Sequence, residues 1–208
     1  NLGNSIRKQE GYFAMPPFDQ TIDLRLKMVQ TLEKAGITVE RDTHERATAG
    51  SAEIDIHYDS LVRMADKFNL FKYIVRNVAV KHGKSATFMP KPLFSHNGNG
   101  MHTHHSLWAK GKPLFADGKD SYHGLSQFAF SYLAGVLSHV SSILAFAAPT
   151  VNSYRRLVPG YEAPTTITFG VRNRSAWRHD HGRLAAQLQA HRHQRRRGRL
   201  GHEGANGG

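Results

Sequence analysis

The chain has 208 residues, 39% of them hydrophobic, with 28 Lys/Arg against 16 Asp/Glu and no cysteine. That length and apolar content allow one sizeable core, and the missing cysteines exclude disulfides, thiolate metal sites and thiol nucleophiles. The net charge of +12 ordinarily points to a polyanionic partner, but its distribution argues otherwise. Six of the Lys/Arg and five of the 14 His fall in residues 179–208, HDHGRLAAQLQAHRHQRRRGRLGHEGANGG, which hold no aromatic and no β-branched residue. A segment with so little to bury is expected to be a disordered tail, and Arg195–Arg197 reads as solvated charge rather than a nucleic-acid contact.

In chain order, Asp19 or Thr21 is placed to cap a helix with Ile22, Leu26, Val29 and Leu32 on one face, ending at Gly36. Residues 37–40 read as a short strand. RDTHERATAGSAEIDIHY follows as two strands around Ala49, Gly50 and Ser51, the second alternating Glu53, Asp55 and His57 with Ile54, Ile56 and Tyr58. A helix is expected over residues 59–81, with Leu61, Met64, Ala65, Phe68, Phe71, Ile74, Val75 and Val78 inside and Gly83 at its end. Residues 86–89 are a further strand candidate. After a hairpin at Gly111, residues 125–147 form an apolar helix with Leu133, Val136, Leu137, Val140, Ile143 and Leu144 in the core. Residues 152–164 read as a loop and 165–171 as a strand delivering Arg172 and Arg174. Hairpins mixed with long helices imply an α+β fold.

No apolar run approaches the roughly 18 residues of a membrane helix, and the start NLGNSIRKQEGYF lacks the hydrophobic region of a signal peptide. A cytoplasmic protein with no membrane partner is therefore expected. The first residue is Asn, so the chain is expected to be part of a longer product.

The stretch richest in chemistry is KPLFSHNGNGMHTHHSLW, residues 91–108. As a strand it places His102 and His104 on one face about 7 Å apart, behind glycines that let backbone approach a ligand. This suits a metal or an anion, while a polar hairpin with surface histidines reads equally well. Gly98-x-Gly100-x-x-Thr103 is only half a dinucleotide fingerprint, and no Walker loop occurs. Glu45 and Glu53 flank the glycine turn, where two carboxylates can share a divalent cation if the register turns them to one side, although taken alone they read more readily as surface carboxylates on an edge hairpin. His44-Glu45 opens like a zinc-protease motif, but Thr48 stands where the second histidine belongs. Arg155, Arg156, Arg172, Arg174 and Arg178 supply planar forks for carboxylate or phosphate. Together these are the parts of metal-assisted phosphoryl transfer.

In this order HERATAGSAE, ATFMPKPLF, NGNGMHTHHSLW, NSYRRLVPGYEAP and RNRSA resemble successive signatures of the catalytic domain of bacterial-type glutamine synthetase, over residues 11–176. The resemblance implies a curved antiparallel sheet flanked by helices, here incomplete: residues 1–178 as a partial catalytic domain and 179–208 as the basic tail. It implies that ATP phosphorylates the γ-carboxylate of glutamate and that ammonia displaces phosphate to give glutamine, with two Mg2+ or Mn2+ ions per site. By motif, Glu45 and Glu53 match ligands of one metal and His102 a ligand of the other. His104 matches the histidine on the ATP phosphates, with Ser106 and Tyr58 near the nucleotide. Asn97 and Gly98 match the loop that holds glutamate, and Arg156 the arginine on its carboxylate. Glu162 matches the flap glutamate that takes a proton from ammonium, and Arg174 the arginine on the transferring phosphoryl group. The family assembles as a dodecameric double ring of identical subunits.

The family's small N-terminal domain and its paired-glutamate strand are not matched, and WRHDHGRL stands where an Ile-Arg-Ile-Pro strand is expected. A frame-shifted, GC-rich coding sequence explains such a tail, and the missing motifs should then lie in another reading frame. With so many parts unmatched, weak metal binding, low or no ligase turnover and poor solubility are expected of this chain alone. The rivals are a γ-glutamyl ligase for another amine and a non-catalytic protein whose tail binds nucleic acid.

Overall fold

The computed structural model describes residues 6–48, 50–117, 122–167 and 169, together with the backbone of 179–180 and 183–186. The order of elements is α1 (Ile22–Lys34), β1 (Val39–His44), β2 (Ala52–Ile56), α2 (Leu61–Lys81), β3 (Thr103–His105), β4 (Trp108–Ala109), β5 (Lys112–Pro113), α3 (Gln127–Ser138), α4 (Val140–Ala147), α5 (Val151–Arg156), β6 (His179–Asp180) and β7 (Arg183–Ala186). The strands pair antiparallel in three small sheets, β1-β2, β3-β7-β6 and β4-β5, so the chain is α+β among its described residues.

The core lies where α1 and α2 close on one face of the β1-β2 hairpin. Met28, Leu32, Ile37, Phe71, Ile74, Val75, Val78 and Ala79 are buried together, and Ile54 and Ile56 pack against them. Burying each large apolar side chain contributes about 1.5–3 kcal/mol, so this cluster fixes the hairpin's orientation. Ile54 and Ile56 being committed to that side, Glu53 and Asp55, which alternate with them along β2, must face the other way. The α1 stripe is not the one expected. Arg25, Met28 and Leu32 turn inward and Leu26 lies outside, because Arg25 donates to Asp19 at 2.7 Å and to Asp42 at 2.9 Å. Burial pushes the Asp19 carboxyl up, but hydrogen bonds from Arg25 and Thr21 outweigh it and hold the group below its ordinary range.

Several elements differ from the sequence reading. Residues 37–40 are not a separate strand: β1 runs from Val39 to His44, because its ladder to β2 is continuous apart from an irregularity after Val39. The first turns of α2 are largely solvent-facing and Leu61 is exposed, since contact with the core begins at Phe68 and full burial at Phe71. Residues 86–89 join no strand ladder, although Ala86 and Phe88 pack on the core. The apolar helix breaks at His139, whose Nδ1 bonds the Gly135 carbonyl at 2.8 Å, and α3 and α4 meet there at 68°. Among the described residues no single helix is long and apolar enough to cross a membrane, and only this bent pair passes such a test jointly. Val151–Arg156 is a short helix rather than loop, started by a reciprocal Thr150/Ser153 capping box. Residues 165–167 and 169 are not in a strand, and 168 and 170–178 lie outside the described residues.

Candidate functional site

The β1-β2 register answers the question of facing. Thr43 pairs with Glu53 and Arg41 with Asp55, and the Glu45 N–H donates to Ser51 O at 2.8 Å just beyond β1. Glu45, two residues past Thr43, therefore stands on the same face as Glu53, as its diagonal neighbour. Partial burial, a hydrogen bond to Glu45 and the nearby charges of Asp55 and Glu45 push the Glu53 carboxyl up to about 7. Crowded oxygens that resist ionising together are what a hard divalent cation relieves. Asp55, which the sequence reading left as part of an acidic face, completes the cluster and is tied to Arg41 at 2.7 Å. Among the described residues no three His, Asp or Glu side chains converge as a ligand set; Glu45 and Glu53 are two neighbouring carboxylates with Asp55 as a third charge close by.

His44, the expected false start of a zinc motif, has a structural role. Its ring is 1% exposed. Nε2 accepts from the Gly50 N–H at 3.2 Å, so Nδ1 carries the proton and faces Gly11 O and Glu45 O at 2.9 and 2.8 Å. All three partners are backbone atoms, so the ring is a brace for the turn that carries Glu45.

The histidine run forms a strand only over Thr103–His105, because Ser106 and Leu107 leave the ladder before β4. His104 lies on the exposed side of β3. His105, on the other side, is anchored by its Nδ1 to the Tyr132 hydroxyl of α3 at 2.8 Å. His102 precedes the strand. It keeps an exposed edge, yet burial of the ring, Arg156 and His104 lower its pKa against the opposing pull of Asp55 and Glu45. The shift favours the uncharged imidazole. Its field ties the histidine run to the acidic hairpin. Ser106 Oγ accepts from Trp108 Nε1 at 3.1 Å, and Tyr58, past β2, lies ring to ring with His57 at 4.4 Å.

Arg156 closes the other side. An added Cβ on Gly98 would lie 2.2 Å from Pro90 O and 3.0 Å from Arg156 Cγ, and one on Gly100 2.5 Å from Arg156 Nη2. The glycines are therefore needed for contact with the arginine, not merely for flexibility. Its Nε is buried and meets no acceptor among the described residues. Burial lowers its pKa, but a guanidinium stays charged. Lys91, missed in the sequence reading, sits nearby with its pKa lowered by burial and by Arg156. Its backbone is clamped by Asn152, which accepts from Lys91 N at 2.7 Å and donates to Lys91 O at 3.0 Å. Asn97 Nδ2 donates to Glu162 Oε2 at 3.0 Å. Arg172, Arg174 and Arg178 lie outside the described residues, and Arg155 is exposed at the end of α5.

The acidic hairpin, His102 within its field, and half-buried Arg156, whose Nε meets no acceptor among the described residues, are thereby brought together. The family model for the glutamine synthetase catalytic domain matches residues 2–189. Glutamine synthetases of Frankia alni and Aquifex aeolicus are each 55% identical, over 85% and 84% of this chain. A cryo-EM structure of Plasmodium falciparum glutamine synthetase superposes with a TM-score of 0.85 at 32% identity, covering 90% of this chain and 37% of that one. The chain belongs to the glutamine synthetase family, and it spans 37% of the length of the curated relatives it matches.

Proposed function

We propose that this chain contributes to the active site of a ligase that forms glutamine from glutamate, ammonia and ATP through a γ-glutamyl phosphate intermediate. The observation that carries the reading is the meeting of three sequence-distant groups: the Glu45/Glu53 carboxylates, His102 in their field, and Arg156 with a buried N–H to offer. Glu45 and Glu53 would hold one divalent cation, Mg2+ or Mn2+, and His102 would contribute to holding a second. When bound, such cations neutralise phosphate charge and polarise the transferring phosphoryl group.

The chain's own residues then have these tasks. Arg156 orients glutamate by its carboxylate, and Asn97 and Gly98 frame that substrate. Activation is needed because a carboxylate is a poor electrophile with a poor leaving group. His104 donates to ATP phosphate oxygens, Ser106 and Tyr58 border the nucleotide, and Arg174 stabilises charge on the transferring group. Glu162 takes the proton from ammonium, so that neutral ammonia attacks the acyl carbon as phosphate leaves. A dodecameric double ring is the proposed assembly.

The test is calorimetric titration of glutamate and of ATP with magnesium into the full chain, with Arg156→Ala and His104→Ala as partners. Glutamate binding lost only in Arg156→Ala, and ATP binding lost only in His104→Ala, support the assignments. Binding that survives both substitutions overturns them. In parallel, residues 11–176 exchanged into the Frankia relative should retain glutamine synthesis and lose it with Glu45→Gln.

A further inference from the structure

The loop after α5 carries Glu162 in a conformation an L-residue enters only when held, φ +55°, which costs of order 1 kcal/mol. Three contacts hold it. Arg46 Nη1 donates to Glu162 Oε1 at 2.5 Å, Asn97 donates to the other oxygen at 3.0 Å, and the Lys91 ammonium lies 4.0 Å from the ring centroid of Tyr161. Arg46 also has a second hold: its backbone N–H donates to Glu45 Oε2 at 3.1 Å. One residue thus bonds two site carboxylates 117 positions apart in sequence, Glu45 and Glu162.

We infer that Arg46 is a positioning residue that latches the 157–164 loop over the site, aiming Glu162 while its backbone sets Glu45. The inference rests on the proposed roles of those two glutamates. Both side chains of the ion pair are about half exposed, and such pairs contribute little individually, although a short charge-assisted bond is stronger than a neutral one. Gains of this size only slightly exceed the backbone strain of Glu162. The loop is therefore closed by a narrow margin, and loss of a single partner opens it measurably. Arg46 makes Glu162 a held group that samples release, whereas Glu45 stays on a rigid hairpin.

Amide hydrogen exchange of the full chain tests this without substrate or metal, so failure of the proposed ligase reading leaves the result interpretable. Arg46→Ala should speed exchange in residues 158–163 about two- to fivefold, the range of an exposed ion-pair loss, with no change in residues 71–79 of α2. Glu162→Gln should speed it similarly, the double variant no further, and Arg46→Lys should restore much of the protection. Unchanged loop exchange in Arg46→Ala, additive effects in the double variant, or an equal rise over residues 71–79 overturns the latch. If the latch stands while glutamate and ATP fail to bind, the ligase reading alone falls.

Discussion

The two halves of the site are held by different forces. The Glu45/Glu53 hairpin rests on a packed apolar cluster centred on Leu32 and Ile37 and on the Asp19–Arg25–Asp42 pairs. The histidine, arginine and Glu162 side rests on polar bonds among loops and short elements, including Asn152 of α5 with Lys91, Asn97 with Glu162, and His105 of β3 with Tyr132 of α3. Apolar packing is cooperative and tolerates little displacement, whereas surface polar contacts are individually weak and exchange readily with water. The carboxylates thus sit on the more firmly packed half, and the histidine, arginine and Glu162 groups on the more weakly held one.

That contrast can be broken by substitutions of graded effect. Leu32→Ala, at a fully buried position, should cost about 3 kcal/mol in urea unfolding and disturb both halves, since the second depends on the first. Asp19→Ala leaves Arg25 buried with Asp42 as its remaining carboxylate and should cost about 2 kcal/mol, again read by denaturation. Gly98→Ala forces a methyl onto Pro90 O and should cost about 1–2 kcal/mol locally. Its signature is loss of glutamate binding with the hairpin's hydrogen exchange intact.

A pH measurement sharpens the same distinction. Glu53 binds its proton more tightly folded than unfolded, so the folded state holds more protons between its ordinary carboxyl range and about pH 7. Stability of the metal-free chain therefore falls as pH rises through that window, by about 1 kcal/mol after solvent screening. In Glu53→Gln this slope should vanish, and the thermal midpoint at pH 8 should rise.

Much of the first half was legible in the sequence because it is periodic. The ends of α1 and α2 at glycines, the Phe71 to Val78 stripe and the hairpin around Gly50 follow local rules. The inward turn of Arg25 was not legible, since its partners Asp19 and Asp42 come from outside the helix. The second half was read through motif resemblance, and its geometry depends on contacts between distant loops. Arg46 was not singled out from the sequence, although its position beside Glu45 was a signal. His44 looked like half a metal motif, and only burial and three backbone partners reveal a brace. The break at His139 has no strong sequence mark, because both flanking segments are equally apolar.

The most direct test of the central claim is titration of Mn2+ into the full chain, followed by the signal of free Mn2+ in electron paramagnetic resonance. The platform predicts saturable binding that strengthens as pH rises through about 7, where Glu53 gives up its proton. Loss of an outer-shell partner alone costs about 10- to 100-fold in metal affinity, so Glu45→Gln and Glu53→Gln should each weaken binding at least that far. Binding that is equal in the folded variants, or absent from the folded parent at pH 8, contradicts the claim that this hairpin is a metal platform.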